Sequence, residues 1–411
     1  MTRPAKAPAP ATTLNRVLRA NLCSGCGGCV LAAPGKVEMR SAPPGYLRPH
    51  QTGVPSAGED ARIARICPGL GQTVRADGRR DDILWGPWLS VHTGWATDPD
   101  LRFTAASGGA LSAVLTHLLA AGSVDAVIQT AAAPDVPIAN ATVLSLDAAD
   151  VMRAAGSRYA PSAPLAGLAR HLDGDRRFAF VGKPCDVAAL RALAAEDPRI
   201  DARFPVMLSF FCAGIPSRAG AEKILEELGT DPGSVAAFRY RGNGWPGRAC
   251  ATLKDGSERS MSYFDSWGGF LSDHLQLRCK ICADGTGKAA DLAFADAWET
   301  DAKGYPLFEE RDGVSLIVAR TAKGAGLLKD SEAAGRLATA AFDLAALDAM
   351  QPGQSGRRKA LLARLAGLWV LGRTVPRYRG LHILKAARRN PPASTFRNFI
   401  GMIRRGLTGR V

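Results

Sequence analysis

Through the middle of the chain, short apolar runs alternate with longer amphipathic ones. ALSAVLTHLLAAG (110–122) carries the spacing of a half-buried helix, and VDAVIQT (124–130) follows it as a strand pattern. FAFVGKPCDVAALRALAA (178–195) reads as strand, tight loop, helix, and PVMLSFFCAGIPS (205–217) as strand then loop. DLAFADAW (291–298) and SLIVAR (315–320) are two more short apolar strands. Strands alternating with helices predict an α/β (α+β) fold with a mostly parallel or mixed sheet. Ligands of such sheets collect at the carboxyl ends of the strands, where Cys185 and Cys212 fall.

The nine cysteines form two sets of four with Cys250 left over. The first set is Cys23, Cys26 and Cys29 in CSGCGGC with Cys67, which precedes Pro68. The second is Cys279 and Cys282 in LRCKIC with Cys185 and Cys212. Four thiolates is the number a 4Fe-4S cluster requires, and C-x-x-C-x-x-C curls the backbone so that three sulfurs face one point. Gly25, Gly27 and Gly28 remove bulk from that curl and let N–H groups turn toward sulfur. A structural zinc site is the alternative for C-x-x-C pairs. A disulfide framework is disfavoured by the odd count and the length. Cys250 reads as a small packed hydrophobe.

A chain of 411 residues, 46% hydrophobic, is long enough for two or three domains with ample core. The first twenty residues read as a flexible leader without a signal-peptide core, and no apolar run approaches the ~18–20 residues of a membrane span. Charge is localised. The last acidic residue is Asp348, and the 14 Lys and Arg after it account for the whole net charge of +14. Apolar groups are interleaved with them in LLARLAGLWVL and FRNFIGMIRRGL. That pattern predicts a basic amphipathic tail binding an anionic surface, the inner face of a membrane or an acidic partner, in an otherwise cytoplasmic protein. Leu368, Trp369, Phe399 and Ile400 are its candidate anchors. Nucleic acid is the less favoured partner.

An ordered set of segments runs through the chain: CSGCGGC, TAASGGALSAVL, AAGSRYAPS, VGKPCDVAALR, FFCAGIPS, FRYRGNGWPGRA and CKICADGTGKAADLAFADAW. On these the chain resembles the coenzyme F-420 hydrogenase/dehydrogenase beta-subunit family, whose relatives include ferredoxin-dependent 7-hydroxymethyl chlorophyll a reductase and a divinyl chlorophyllide 8-vinyl reductase. The segments span about residues 20–320, and the tail lies outside them. The resemblance implies FAD beside one or two 4Fe-4S clusters. The expected organisation is a leader (1–20), a ferredoxin-like segment (21–85), a flavin-binding domain with the second cluster (86–345) and the basic helical tail (346–411).

It also assigns roles. Ser107, Gly108 and Gly109 open a helix and suit a phosphate approaching its N-terminus. Gly156, Ser157, Arg158 and Tyr159 offer flavin contacts, and Gly244, Trp245, Gly247 and Arg248 belong to a loop expected over the ring. Lys183 is either a charge near the flavin or a surface lysine. His274 is either a proton donor or a polar helix residue. Asp284, Asp291 and Asp296 read as loop acids. The expected protein is an oxidoreductase passing electrons through clusters to FAD, with a ferredoxin or deazaflavin carrier and a small organic substrate. The alternative is a non-catalytic electron-transfer subunit serving a separate enzyme.

Overall fold

The computed structural model describes residues 12–299, 301, 307 and 309–408. Its centre is an eight-stranded mixed sheet. In chain order the strands are β1 (Ser90–Ala96), β2 (Ala126–Ala132), β3 (Asn140–Ser145), β4 (Phe178–Gly182), β5 (Val206–Phe210), β6 (Leu292–Asp296), β7 (Ser315–Ala319) and β8 (Leu337–Ala341). Across the sheet they run β8-β1-β7-β6-β5-β4-β2-β3. β2, β4, β5 and β6 are mutually parallel, and the outer strands pair antiparallel. Every residue of β4 and β7 is buried, as expected of strands covered on both faces.

The two-residue period of the strands divides the core. Phe178 and Phe180 face one side with Val187, Leu190 and Phe204; Ala179 and Val181 face the other with Leu115, Leu208 and Ile317. Helix Pro184–Ala194 covers the first face, and helices Ala110–Ala120 and Ala322–Ala333 the second. Each large side chain buried this way contributes roughly 1.5–3 kcal/mol.

The cysteine triplet lies ahead of the sheet: Cys23 and Cys26 fall between helix Thr13–Arg19 and short helix Gly28–Ala32, and Cys29 is in the first turn of the latter. A hairpin (Val37–Ala42, Tyr46–Gln51) follows, then helix Ala57–Ile66, whose capping box pairs Ser56 with Glu59 and whose last turn delivers Cys67. Residues 12–19, expected in the leader, belong instead to the folded body. Thr12 caps helix Thr13–Arg19, which buries Leu14 and Val17. Residues 1–11 lie outside the described residues.

The C-terminal segment also differs from a tail reaching away from the body. Helix Pro352–Val370 packs against helix Pro392–Leu407, and strand Arg377–Arg379 pairs in parallel with Gly71–Thr73 beside Cys67. Leu361, Leu368 and Met402 share a core with Leu22, Cys23 and Ile281. Arg358, nearly fully buried, donates to the carbonyls of Leu381 and Ile83. Of the four candidate anchors, Leu368 is buried and Phe399 half-buried, because both helices turn those faces inward. Trp369 and Ile400 are exposed, with Val370, Phe396 and Leu407. Arg410 lies outside the described residues.

Candidate active site

A cleft of about 200 Å³ opens at the carboxyl ends of β4, β5 and β6. Ser107 and Gly109, Gly156 to Tyr159, Lys183 and Cys212 all line it. Ser107, Gly108 and Gly109 each take positive φ, so the chain turns sharply into helix Ala110–Ala120 with no side chain capping its start. Gly108 does not face the cleft. A Cβ there would be driven into the carbonyl of Gly313.

Asp296, at the end of β6, organises one wall. It accepts from Ser107 Oγ (2.5 Å), from Trp245 Nε1 (2.8 Å) and from both terminal nitrogens of Arg241 (2.6 and 2.8 Å). Burial pushes the Asp296 carboxyl up, but the Arg241 guanidinium and the two further donors outweigh it and hold it below the ordinary range. Arg241 is itself almost fully buried, with Tyr263 and Trp298 against its guanidinium. Neither Asp296 as a hub nor Arg241 stood out in the sequence, where one read as a loop acid and the other sat unremarked in FRYRGNGW.

Lys183 is no surface lysine. Its ammonium is buried on Asp186 (2.7 Å) and Ser162 Oγ (2.7 Å). Burial acts to lower its pKa, yet Asp186, with Cys185 and Cys212, outweighs this and raises it, while the same burial raises Asp186.

Arg158 and Tyr159 line the cleft with their polar and aromatic groups already engaged, and the other expected contacts lie outside it. The Arg158 guanidinium is consumed by Asn140 Oδ1 and the carbonyls of Phe238, Pro137 and Ala139, so it braces the loop. Tyr159 packs on Trp267. The Gly244–Gly247 turn stands behind Asp296, with Trp245 stacked on Trp298, and does not line the cleft. Arg248 is exposed on its strand, beside Ser260. His274 is also outside the cleft, its Nδ1 paired with Ser217 Oγ.

Among the candidate ligand thiols, Cys23, Cys26, Cys29 and Cys67 act on one another, and Cys212 neighbours Cys279 and Cys282. Cys23 and Cys26 are buried and the other six partly buried. Burial, then the Cys23 thiol, pushes Cys67 up to about 11. Cys26 goes to about 12 through burial, then the carboxylate of Asp186 and the thiols of Cys67 and Cys23. Cys212 reaches about 12 through burial, then Cys279 and Cys282. Cys185 is pushed up by burial and then Asp186, with Cys212 and Cys26 adding to it, so it lies between the sets. N–H groups aim at sulfur: Gly25 at Cys23 (3.3 Å), Gly28 at Cys26 (3.5 Å) and Ile215 at Cys279 (3.3 Å). Among the described residues no three His, Cys, Asp or Glu side chains already form a group able to hold one metal ion.

An iron–sulfur cluster is tested most directly by Arg278. It is almost fully buried and has no carboxylate partner among the described residues. It donates to Pro68 O (2.7 Å) and acts on thiols of both sets, Cys23 and Cys67 as well as Cys279, Cys282 and Cys185. A buried cation of this kind requires negative charge nearby, and thiolate-bound clusters supply it. The residues fit such groups.

Sequence reading also missed the clamp on the second set. Gln354 Nε2 donates to Cys212 O (3.1 Å), and Arg357 to Ala213 O (2.6 Å) and Cys279 O (3.0 Å). Arg364 adds a bond to Lys280 O (2.9 Å). Their spacing along one helix face was the available signal.

The chain belongs to the coenzyme F420 hydrogenase/dehydrogenase beta-subunit family, a family of oxidoreductase subunits: the N-terminal part of that family matches residues 91–169 and the C-terminal part residues 175–344. It is 27% identical over 250 residues to the beta subunit of F420-dependent formate dehydrogenase 1 of Methanococcus maripaludis, covering 60% of each chain. It is 23% identical over 237 residues to an uncharacterised protein of Methanocaldococcus jannaschii, covering 55% of this chain and 59% of that one. The chain thus spans about 60% of the length of these relatives. A chain of the F420-reducing [NiFe] hydrogenase complex of Methanosarcina barkeri shares the fold, with a TM-score of 0.53 at 20% identity over 70% of this chain and 95% of that chain.

Proposed function

We propose that this chain is an iron–sulfur flavoprotein oxidoreductase. Cys23, Cys26, Cys29 and Cys67 would hold one 4Fe-4S cluster, and Cys185, Cys212, Cys279 and Cys282 a second. FAD would occupy the cleft, exchanging electrons with a small organic substrate or with a deazaflavin or ferredoxin carrier. The observation that carries the reading is continuity: Cys212 belongs to the second thiol set and also lines the cleft, while Cys185 links that set to the first.

FAD, when bound, converts single-electron delivery into two-electron hydride chemistry. The chain's own residues prepare the cleft for it. Ser107 and Gly109 leave the start of helix Ala110–Ala120 open to a phosphate. Lys183 on Asp186 and Arg241 on Asp296 place two fixed ion pairs at the wall, preorganised polar groups beside the expected ring. Trp267 and Tyr159 restrict water on the outer side.

The test is anaerobic purification followed by iron, sulfide and flavin assay. Eight irons and one FAD per chain are expected. Zinc with little iron would overturn the cluster assignment, and iron without flavin would leave an electron-transfer protein. That second reading, a subunit serving a separate enzyme, is favoured by the formate dehydrogenase relative being named a beta subunit. Turnover by the isolated chain decides against it.

No helix among the described residues is long and apolar enough to cross a membrane. Peripheral attachment to the cytoplasmic membrane face remains our proposal for the exposed apolar and basic side chains of the C-terminal helices.

A further inference from the structure

A second cleft, of about 640 Å³, lies on the outer side of the first thiol set. Ile66 and Pro68, the neighbours of Cys67 on either side, line it, and five arginines stand around it: Arg65, Arg75, Arg191, Arg377 and Arg379. Two are already neutralised, Arg65 by Glu196 and Arg191 by Asp201 and Asp291. Arg75, Arg377 and Arg379 are exposed and have no acidic partner among the described residues. Asp284, the one acid lining the cleft, is buried and turned to Lys288 and the N–H groups of its own loop. Gln72 lies in the wall, more than nine-tenths buried, and its Nε2 has no partner, while its Oε1 faces Arg278.

We infer that this cleft is the docking surface for an acidic redox protein, a diffusible one-electron carrier whose carboxylates meet Arg75, Arg377 and Arg379. The inference rests on the reading of Cys67 as a cluster ligand. The distribution of charge selects the occupant. A small polyanion calls for buried donors converging inside the pocket, whereas here the unpaired charges are exposed on the rim, where they steer encounter with another protein. One wall is strand Arg377–Arg379, whose alternation turns both arginines to one side while the Tyr378 hydroxyl bonds Ile281 O on the other. The transfer moves one electron from reduced carrier to this chain, with no bond made or broken.

The experiment uses the full-length, iron-loaded protein in anaerobic stopped flow. The electron donors are a reduced acidic bacterial ferredoxin and, separately, reduced methyl viologen. Arg377→Glu/Arg379→Glu, and independently Arg75→Glu on the segment that continues the paired strand Gly71–Thr73, are compared with wild type. The expected result is a fall of about tenfold or more in the ferredoxin rate constant at low ionic strength, closing at high salt, with the viologen rate unchanged. Equal ferredoxin rates in all three proteins would overturn the proposal. So would citrate binding, by calorimetry, that the variants lose while keeping the ferredoxin rate, since that assigns the cleft to a small anion. Failure of viologen to reduce wild type would remove the cluster reading beneath it.

Discussion

Arg357 and Cys279 are 78 residues apart, yet the guanidinium of one donates to the carbonyl of the other at 3.0 Å. The same guanidinium holds Ala213 O at 2.6 Å, so a single side chain ties the loop of Cys212 to the short helix Leu277–Lys280 that carries Cys279. The C-terminal segment is thus a brace on the second thiol set. Charge-assisted hydrogen bonds of this kind contribute roughly 1.5–3 kcal/mol. Arg357→Ala is expected to lower the melting temperature and to release iron from the second set first. Iron counts that stay at wild-type level through chelator challenge would contradict the brace.

The Asp296–Arg241 pair gives a pH dependence with a definite sign. The carboxyl is held below its ordinary value of 3.8, so its contribution to stability is present above about pH 4 and is lost as the pH falls through its lower folded value. Asp296→Asn leaves Arg241 buried beside a neutral amide, a loss of about 3–5 kcal/mol near neutral pH. Urea unfolding of wild type and variant should therefore converge as the pH drops below about 4. A gap independent of pH would mean that the carboxylate charge is not what matters.

Gly108 is expected to control flavin and not iron. A side chain there meets Gly313 and forces a β-branched residue into positive φ, at about 1–2 kcal/mol for the backbone alone. Gly108→Val should displace the Ser107–Gly109 turn and lower the flavin-to-iron ratio well below wild type. Both cofactors retained in full would separate this turn from the flavin site.

The exposed side chains of the C-terminal helices should bind anionic vesicles. Trp369, Phe396 and Ile400 supply apolar contact, and nearby Arg397, Arg404 and Arg405 add about 1 kcal/mol each near a charged surface. Trp369→Ser/Phe396→Ser is the suitable variant, because both side chains are exposed and removing them spares the Arg357 brace. Cosedimentation of wild type with anionic but not neutral vesicles, weakened in the variant, is the expected outcome. Equal pelleting of both proteins would exclude these contacts.

Much of the frame was legible in local pattern. The strands at 178–182, 206–210, 292–296 and 315–319 were visible as short apolar runs, since burial on both faces leaves few polar positions. The C-x-x-C-x-x-C curl was visible because it is local chemistry, and Cys185 and Cys212 were seen to follow strands, whose ends share one edge of the sheet. Charge imbalance marked the C-terminal segment. What only the tertiary structure decided is who meets whom across long separations. Asp296 became a hub because Ser107, Arg241 and Trp245 arrive from loops 51 to 189 residues away. The C-terminal segment became a brace because its helix carries Gln354, Arg357 and Arg364 onto carbonyl groups of the cysteine loops. Backbone carbonyls are the same at every residue and leave no trace in sequence. A positive charge looking for one therefore reads as a charge looking for a membrane, until folding supplies the acceptor.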